Sequence, residues 1–242
     1  MTEHKVVARD EWIAARKELL AQEKAHTRAY DALRKERQNL PWVRVEKEYL
    51  FDSSQGRQTL ADLFAGRSQL IVQHFMLGPG WEAGCDGCAF LADHMLGALA
   101  HIENHDVKFV AVSRAPLTEI QRFQNRMGWP FDWVSSYGSN FNSDYNVSVT
   151  QQDIDAGKTF SYNYADPFLP DNEIELPGLS AFYKDESGVI YHTYSTYGRG
   201  GDRLITAYNY LDLTPKGRNE ESIMNWMRLH DSYDVPEPVL TH

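Results

Sequence analysis

The chain has 242 residues and two cysteines, Cys85 and Cys88, in the segment Cys85-Asp86-Gly87-Cys88. An apolar run at residues 70–77 precedes the pair, and Ala89, Phe90 and Leu91 follow it. A strand leading into such a pair, with a helix behind it, suits dithiol–disulfide chemistry. A thiolate at a helix N-terminus is stabilised by backbone N–H groups without an intrahelical partner and by the positive end of the helix dipole. A second thiol one turn later can attack the resulting mixed disulfide and release the product. Cys85 is therefore the expected attacking sulfur and Cys88 the expected resolving one.

Two other readings of the pair stay open. It could be inherited by a non-catalytic binding or assembly protein. It could also bind metal, with His74, Cys85, Cys88 and His94 as a Cys₂His₂ set, or with His101 and His105 four residues apart on one helix face. His74 lies inside a strand, however, and its offset from Cys85 is no zinc-finger spacing. Histidines near a helix C-terminus are explained by the dipole alone. An iron–sulfur cluster normally takes four thiolates, so two per chain would need a dimer. No metal and no cofactor is expected. A peroxidase pattern, Pro-x-x-x-Thr-x-x-Cys, is also disfavoured: Glu82 occupies the position of the hydroxyl residue, and Pro79 lies six residues before Cys85.

The elements around the pair read as follows. Residues 9–38 form a long amphipathic helix with Trp12, Leu19, His26 and Leu33 seven apart, Asp10 as N-cap, and Asn39 and Pro41 as the stop. Unbroken, it would be roughly 45 Å long. Residues 42–51 alternate as a half-exposed strand. A short helical turn at 59–64 leads into a strand at 69–76. A helix is expected from Cys85 to about His105, a buried strand at 107–113, a helix at 117–127 closed by Gly128, and a strand at 131–136. Residues 138–176, rich in Asn, Ser, Tyr, Asp and Pro, read as an irregular insertion with one short helix near 150–156. Residues 179–184 and 189–194 make a hairpin around Asp185–Gly188, and an amphipathic helix is expected over 221–233.

Strand–helix–strand–helix–strand followed by a hairpin predicts an α/β fold in three layers, a mixed central sheet flanked by helices. With the cysteines at the first strand-to-helix junction, this is the thioredoxin-like arrangement. The site then lies at the carboxyl ends of the strands. Residues 1–40 are expected to be a helical extension and 41–242 the domain proper.

Net charge is −10 and the sequence pI about 5.3. That argues against nucleic-acid binding, which needs clustered Lys and Arg. The first ten residues lack the apolar core of a secretory signal, and no apolar stretch reaches the length of a membrane span. A cytoplasmic protein is expected, where structural disulfides are rare. The expected partner is a protein or small-molecule thiol or disulfide, with a homodimer possible through the N-terminal helix.

Longer words carry a resemblance. They are residues 40–44 (Leu-Pro-Trp-Val-Arg), 67–72 (Arg-Ser-Gln-Leu-Ile-Val), 74–81 leading to Gly84 and Cys85, and 112–117 (Val-Ser-Arg-Ala-Pro-Leu). Residues 126–129, 192–197 and 208–215 continue it. Over nearly its whole length the chain resembles a bacterial family of unknown function described as predicted dithiol–disulfide oxidoreductases of thioredoxin-like fold. The resemblance implies redox-active cysteines. It also implies a proline before the hairpin strand that faces them in a cis peptide bond, here Pro177, with Gly178-Leu179 as the other occupant of that spot. Trp81, Tyr194, Tyr197 and Arg199 are candidates for the same cleft. The chain departs from the family between its cysteines, where a neutral pair such as Pro-Ser is expected. Asp86, with Glu82 nearby, should repel a thiolate at Cys85 and keep that thiol less acidic than in strongly oxidising relatives. That would suit a reducing or slow exchange role.

Overall fold

The computed structural model describes residues 4–233. The chain divides into two units, one up to Trp42 and one from Val43 onward.

The first unit is helix α1, Arg9–Gln38. Its 30 residues contain neither Gly nor Pro. Asp10 and Glu11 in the first turn and Lys35 and Arg37 in the last complement the helix dipole. The N-cap is Ala8, with no side-chain cap bond, so the expected cap Asp10 is instead the second helical residue, two past the cap. No residue of α1 is buried, and Trp12, Leu19, Leu20 and Leu33 are exposed.

In the second unit the strands are β1 (Val43–Arg44), β2 (Leu50–Ser53), β3 (Gly56–Thr59), β4 (Gln69–His74), β5 (Val107–Ser113), β6 (Asp132–Ser135), β7 (Ser148–Val149), β8 (Ile174–Glu175), β9 (Gly178–Lys184) and β10 (Ile190–Tyr197). The helices are α2 (Asp86–Met95), α3 (Leu99–Asn104), α4 (Leu117–Met127), α5 (Phe141–Asp144), α6 (Gln151–Asp155) and α7 (Thr206–Leu211). Eight strands form one sheet in the order β1-β10-β9-β4-β5-β6-β2-β3, and β7 pairs with β8 separately. β4, β5 and β6 run parallel, while β9 pairs antiparallel with β4 and with β10. A parallel β4–α2–β5 unit beside an antiparallel hairpin is the thioredoxin-like fold.

Alternation along the strands sorts the core into two layers. On one face Phe75, Cys88, Ala92, Phe109, Phe123 and Trp133 pack together under α2 and α4. On the other, Leu70, Val72, Val110, Val112, Phe141 and Phe182 form a second cluster. That second layer is closed by the short 3-10 turn Asp62–Phe64 and by α5 rather than by long helices.

Four expectations about local structure need correction. The helix after the cysteines breaks at residues 96–98, where Ala98 N–H bonds to Met95 O and Gly97 favours the bend. His94 therefore lies in α2 and His101 in α3, with His105 as the C-cap of α3. The expected strand at 42–51 survives as Val43–Arg44 and the start of β2. No α-helix forms over 221–233. Asn219 and Met224 take left-handed backbone conformations (φ 49° and 65°), which interrupt any helix, and only the 3-10 turn His230–Ser232 remains. The apolar residues there are still used, since Met227 and Leu229 are buried. The peptide bond before Pro177 is trans, contrary to the cis form expected; the paired strand β8 brings the chain into Pro177 extended.

Candidate dithiol site

After β4, Phe75 enters the core cluster under α2 and α4, and the chain turns through residues 78–84 to deliver Cys85 at the start of α2. Cys85 N–H bonds to Met76 O at 3.1 Å, tying the turn back to the strand. Gly84 is required by packing: a Cβ there would fall 2.4 Å from Phe75 Cε1 and 2.9 Å from Phe123 Cε1. Cys85 is the N-cap of α2, with extended backbone (φ −61°, ψ 131°), and Ala89 N–H bonds to its carbonyl at 2.9 Å. Cys88 lies one turn in, with 3% of its surface exposed, while Cys85 is half-buried. Both are free thiols.

The two sulfurs have opposite environments. The Cys85 thiol is lowered from its ordinary value to about 6. A hydrogen bond from the Cys88 thiol is the chief cause, against the cost of burial, and the backbone N–H groups of Cys88 and Gly87 at the helix start assist. Cys88 is raised well above the usual thiol range, by the same hydrogen bond and then by burial. Its sulfur also accepts a long contact from Met76 N–H at 3.5 Å. Asp86 does repel a Cys85 thiolate, as expected, but it is the weakest of the named influences. Its nearest donor in space outweighs its nearest charge in sequence.

Around the pair lies a cavity of about 210 Å³. Cys85, Cys88, Leu91, Pro177, Leu179 and Met224 contribute to its walls, as do Gln73, Arg199 and Asp202. The Gln73 amide is fixed by its Nε2–H bond to Cys88 O at 2.9 Å, which leaves its buried Oε1 without a partner among the described residues. Arg199 Nε–H donates to Asp202 at 3.0 Å. Tyr162, from the irregular stretch at 138–176, accepts from Gly198 N–H (2.8 Å) and donates to Pro177 O (2.6 Å), bracing two wall residues at once.

Other candidates lie elsewhere. Glu82 is exposed, and Trp81, 38% exposed, places its indole against Gly78. Tyr197 packs its ring where a Cβ on Gly178 would fall 2.8 Å from it, and its hydroxyl donates to Tyr145 O at 3.0 Å. Trp81, Glu82, Asp86, Tyr194 and Tyr197 are not among the residues that wall the cavity. Sequence reasoning missed Gln73, Gly201 and Met224, because no motif marks a cavity wall assembled from separate segments.

His94 and His74 are both engaged within the fold. His94 Nδ1–H donates to Phe90 O at 2.6 Å, and its Nε2 accepts from Ala207 N–H at 3.0 Å. His74 points to the opposite face of the sheet, stacking on Tyr145 and Phe141. Among the described residues no group of three or more His, Cys, Asp or Glu side chains could hold a metal ion, and no helix is long and apolar enough to cross a membrane.

Solved structures similar in part to this chain include peroxidoxin BcpB from Mycobacterium tuberculosis, with 10% identity and a TM-score of 0.47, covering 69% of this chain and 94% of that one. The bacterioferritin comigratory protein of Xanthomonas campestris has 12% identity and a TM-score of 0.43, covering 67% and 90%. A Bacteroides thetaiotaomicron protein bearing a protein disulfide isomerase designation has 16% identity and a TM-score of 0.39, covering 75% and 94%. No curated protein matches the chain. The family model described as "Bacterial protein of unknown function (DUF899)" matches residues 1–233, and the chain belongs to that family.

Proposed function

We propose that the protein is a thiol–disulfide oxidoreductase in which Cys85 attacks and Cys88 resolves. The observation that carries this reading is the asymmetry of the pair: a half-buried thiol lowered to about 6 at a helix start, hydrogen-bonded to a buried thiol raised well above its usual range. At neutral pH Cys85 is then largely thiolate and Cys88 a thiol.

The thiolate attacks one sulfur of a substrate disulfide. The Cys85–substrate S–S bond forms as the substrate's own S–S bond breaks, and the departing sulfur takes a proton from solvent. Cys88 then loses its proton and attacks the Cys85 sulfur, expelling the second substrate thiol. The pair ends as one disulfide, having supplied two electrons. A thiol near neutral pKa is a good attacking group at this pH and a good leaving group in reverse. The cytosol, where thiols are kept reduced, suits such a pair. Residues 1–40 are read as an extension to the domain that bears the site, and 138–176 as an insertion within it.

Reduction of insulin by a small dithiol tests the reading. The protein should accelerate it, and Cys85→Ser should not. No acceleration by the unsubstituted protein, with both thiols shown to be free, would contradict it.

A second reading concerns assembly. Trp12, Leu19, Leu20 and Leu33 are exposed on a helix with no buried residue, which favours a homodimer formed through α1. Sedimentation equilibrium should give a dimer that Leu19→Glu/Leu33→Glu converts to monomer. A monomer at all concentrations of the unsubstituted chain would rule it out.

A further inference from the structure

We infer that the cavity beside Cys85 selects disulfides that carry an uncharged apolar group, about the size of one ring, next to the attacked sulfur. The inference rests on the exchange chemistry proposed above and names the substrate class for that site.

Position comes first. The cavity borders both sulfurs, so a group bonded to a sulfur under attack by Cys85 has this space beside it. Its walls are next. Leu91 of α2, Leu179 of β9, Ile205, Ile223 and Met224 present apolar side chains from separate parts of the fold. The charged wall residues, Arg199 and Asp202, are paired with each other at 3.0 Å, so neither offers an uncompensated charge. A carboxylate entering here would lose hydration without gaining a partner, since the unpaired wall group, Gln73 Oε1, only accepts, whereas an apolar group gains by leaving water.

Size narrows the class further. An apolar cavity of about 150 Å³ admits benzene, and pockets that enclose a whole drug-sized ligand run to about 300–1,000 Å³. At about 210 Å³ this cavity takes one ring or branched alkyl group and leaves the rest of the substrate outside. The space exists because side chains are missing from its wall. A Cβ on Gly201 would make ordinary contacts, 3.7 Å from Leu179 Cδ1 and 3.8 Å from Leu91 Cδ2. Gly201 is not in a left-handed conformation, so a larger residue there would fill the cavity without straining the backbone. The occupant to which these features commit is the apolar side chain next to a cystine half in a peptide.

The test uses the reduced full-length protein in single turnover, so no external reductant is needed. The substrates are three symmetrical disulfides of N-acetyl-cysteinyl dipeptide amides with Phe, Gly or Glu as the second residue. The second-order rate should be about tenfold higher for Phe than for Gly, with Glu slower than Gly. Gly201→Val, checked for native circular dichroism, should bring the Phe rate down to about that of Gly. Equal rates for all three substrates would overturn the inference and leave the exchange reading standing. A Phe preference that survives Gly201→Val would place the selectivity outside this cavity and also overturn it. No reaction with any of the three would overturn the exchange reading itself.

Discussion

Gln73 and His74 are neighbours in β4, yet they serve opposite faces of the sheet, and the two faces treat polar groups differently. On the Gln73 face the Cys85 and Cys88 thiols border an apolar cavity. On the His74 face a closed chain of hydrogen bonds crosses three strands. His74 Nε2 is 2.7 Å from Ser180 Oγ, Ser180 Oγ is 2.7 Å from Ser195 Oγ, and Ser195 Oγ is 2.7 Å from His192 Nε2. The direction of this chain follows from one end. His192 Nε2 also lies 3.1 Å from Tyr194 O, a carbonyl that can only accept, so that nitrogen carries the proton. Ser195 then donates to Ser180 and Ser180 to His74 Nε2. The buried His74 Nδ1–H is left without a partner among the described residues. One face holds two free thiols beside a cavity; on the other, buried polar side chains bond to each other. Stability and reactivity should therefore respond to different substitutions.

The largest effect is expected on the first face. Cys85→Ser should lower disulfide exchange by more than about 10³-fold, since a hydroxyl is a far weaker nucleophile than a thiolate at neutral pH. Its urea unfolding midpoint should move little. A loss of stability as large as that of the second-face variants below would blur the division between the faces.

Acid should act through the second face. Burial lowers His74 from an ordinary value of 6.5 to about 3, with the nearby His192 contributing. The unfolded chain thus binds a proton that the folded chain refuses between these values. Stability is complete above pH 6.5 and is lost as pH falls toward 3, by an amount on the order of a few kcal/mol. The groups facing His74 are Ser180, Tyr145, Phe141 and, through Ser195, His192. Urea titrations at pH 7 and pH 4.5 measure the slope. His74→Phe, similar in volume, should flatten it, and an unaltered slope would show that other groups carry the acid sensitivity.

Ser180→Ala interrupts the same chain, leaving the lone pair of His74 Nε2 and the Ser195 hydroxyl unsatisfied. It should cost about 1–3 kcal/mol in chemical denaturation. Its Cys85 alkylation rate should match that of the unsubstituted protein. A changed rate would mean that the faces communicate.

The smallest effect concerns Asp86. Its repulsion is worth about 1 kcal/mol near a surface, so Asp86→Ser should lower the Cys85 pKa by less than about one unit. Absorbance of the thiolate at different pH values would show it, and no shift would mean that the carboxylate does not reach the sulfur electrostatically.

Much of the scaffold can be read from particular residues. The runs at β4 and β5 are apolar enough to specify buried parallel strands, and Val72, Val110 and Val112 are buried as those runs require. Pro116 and Gly128 bracket α4 at both ends. Other features depend on contacts that local patterning does not encode. β7 and β8 are two residues each and exist only through their pairing. Residues 221–233 have helical spacing, but burial of Met227 and Leu229 is satisfied by an irregular path. The lowering of the Cys85 thiol was not legible from Asp86, because its chief cause, the Cys88 thiol, acts through geometry at the helix start. The Ser180–Ser195 link joins residues that are unremarkable in sequence and meet only across the hairpin.

The central claim is that Cys85 is an activated thiol and Cys88 a held one. The rate of iodoacetamide alkylation as a function of pH, with the modified cysteine identified by mass spectrometry, tests it directly. Modification should fall on Cys85, with a rate that rises through a midpoint near pH 6 and levels off by pH 8. A midpoint near the ordinary thiol value of 9, or equal labelling of Cys88, would contradict the account.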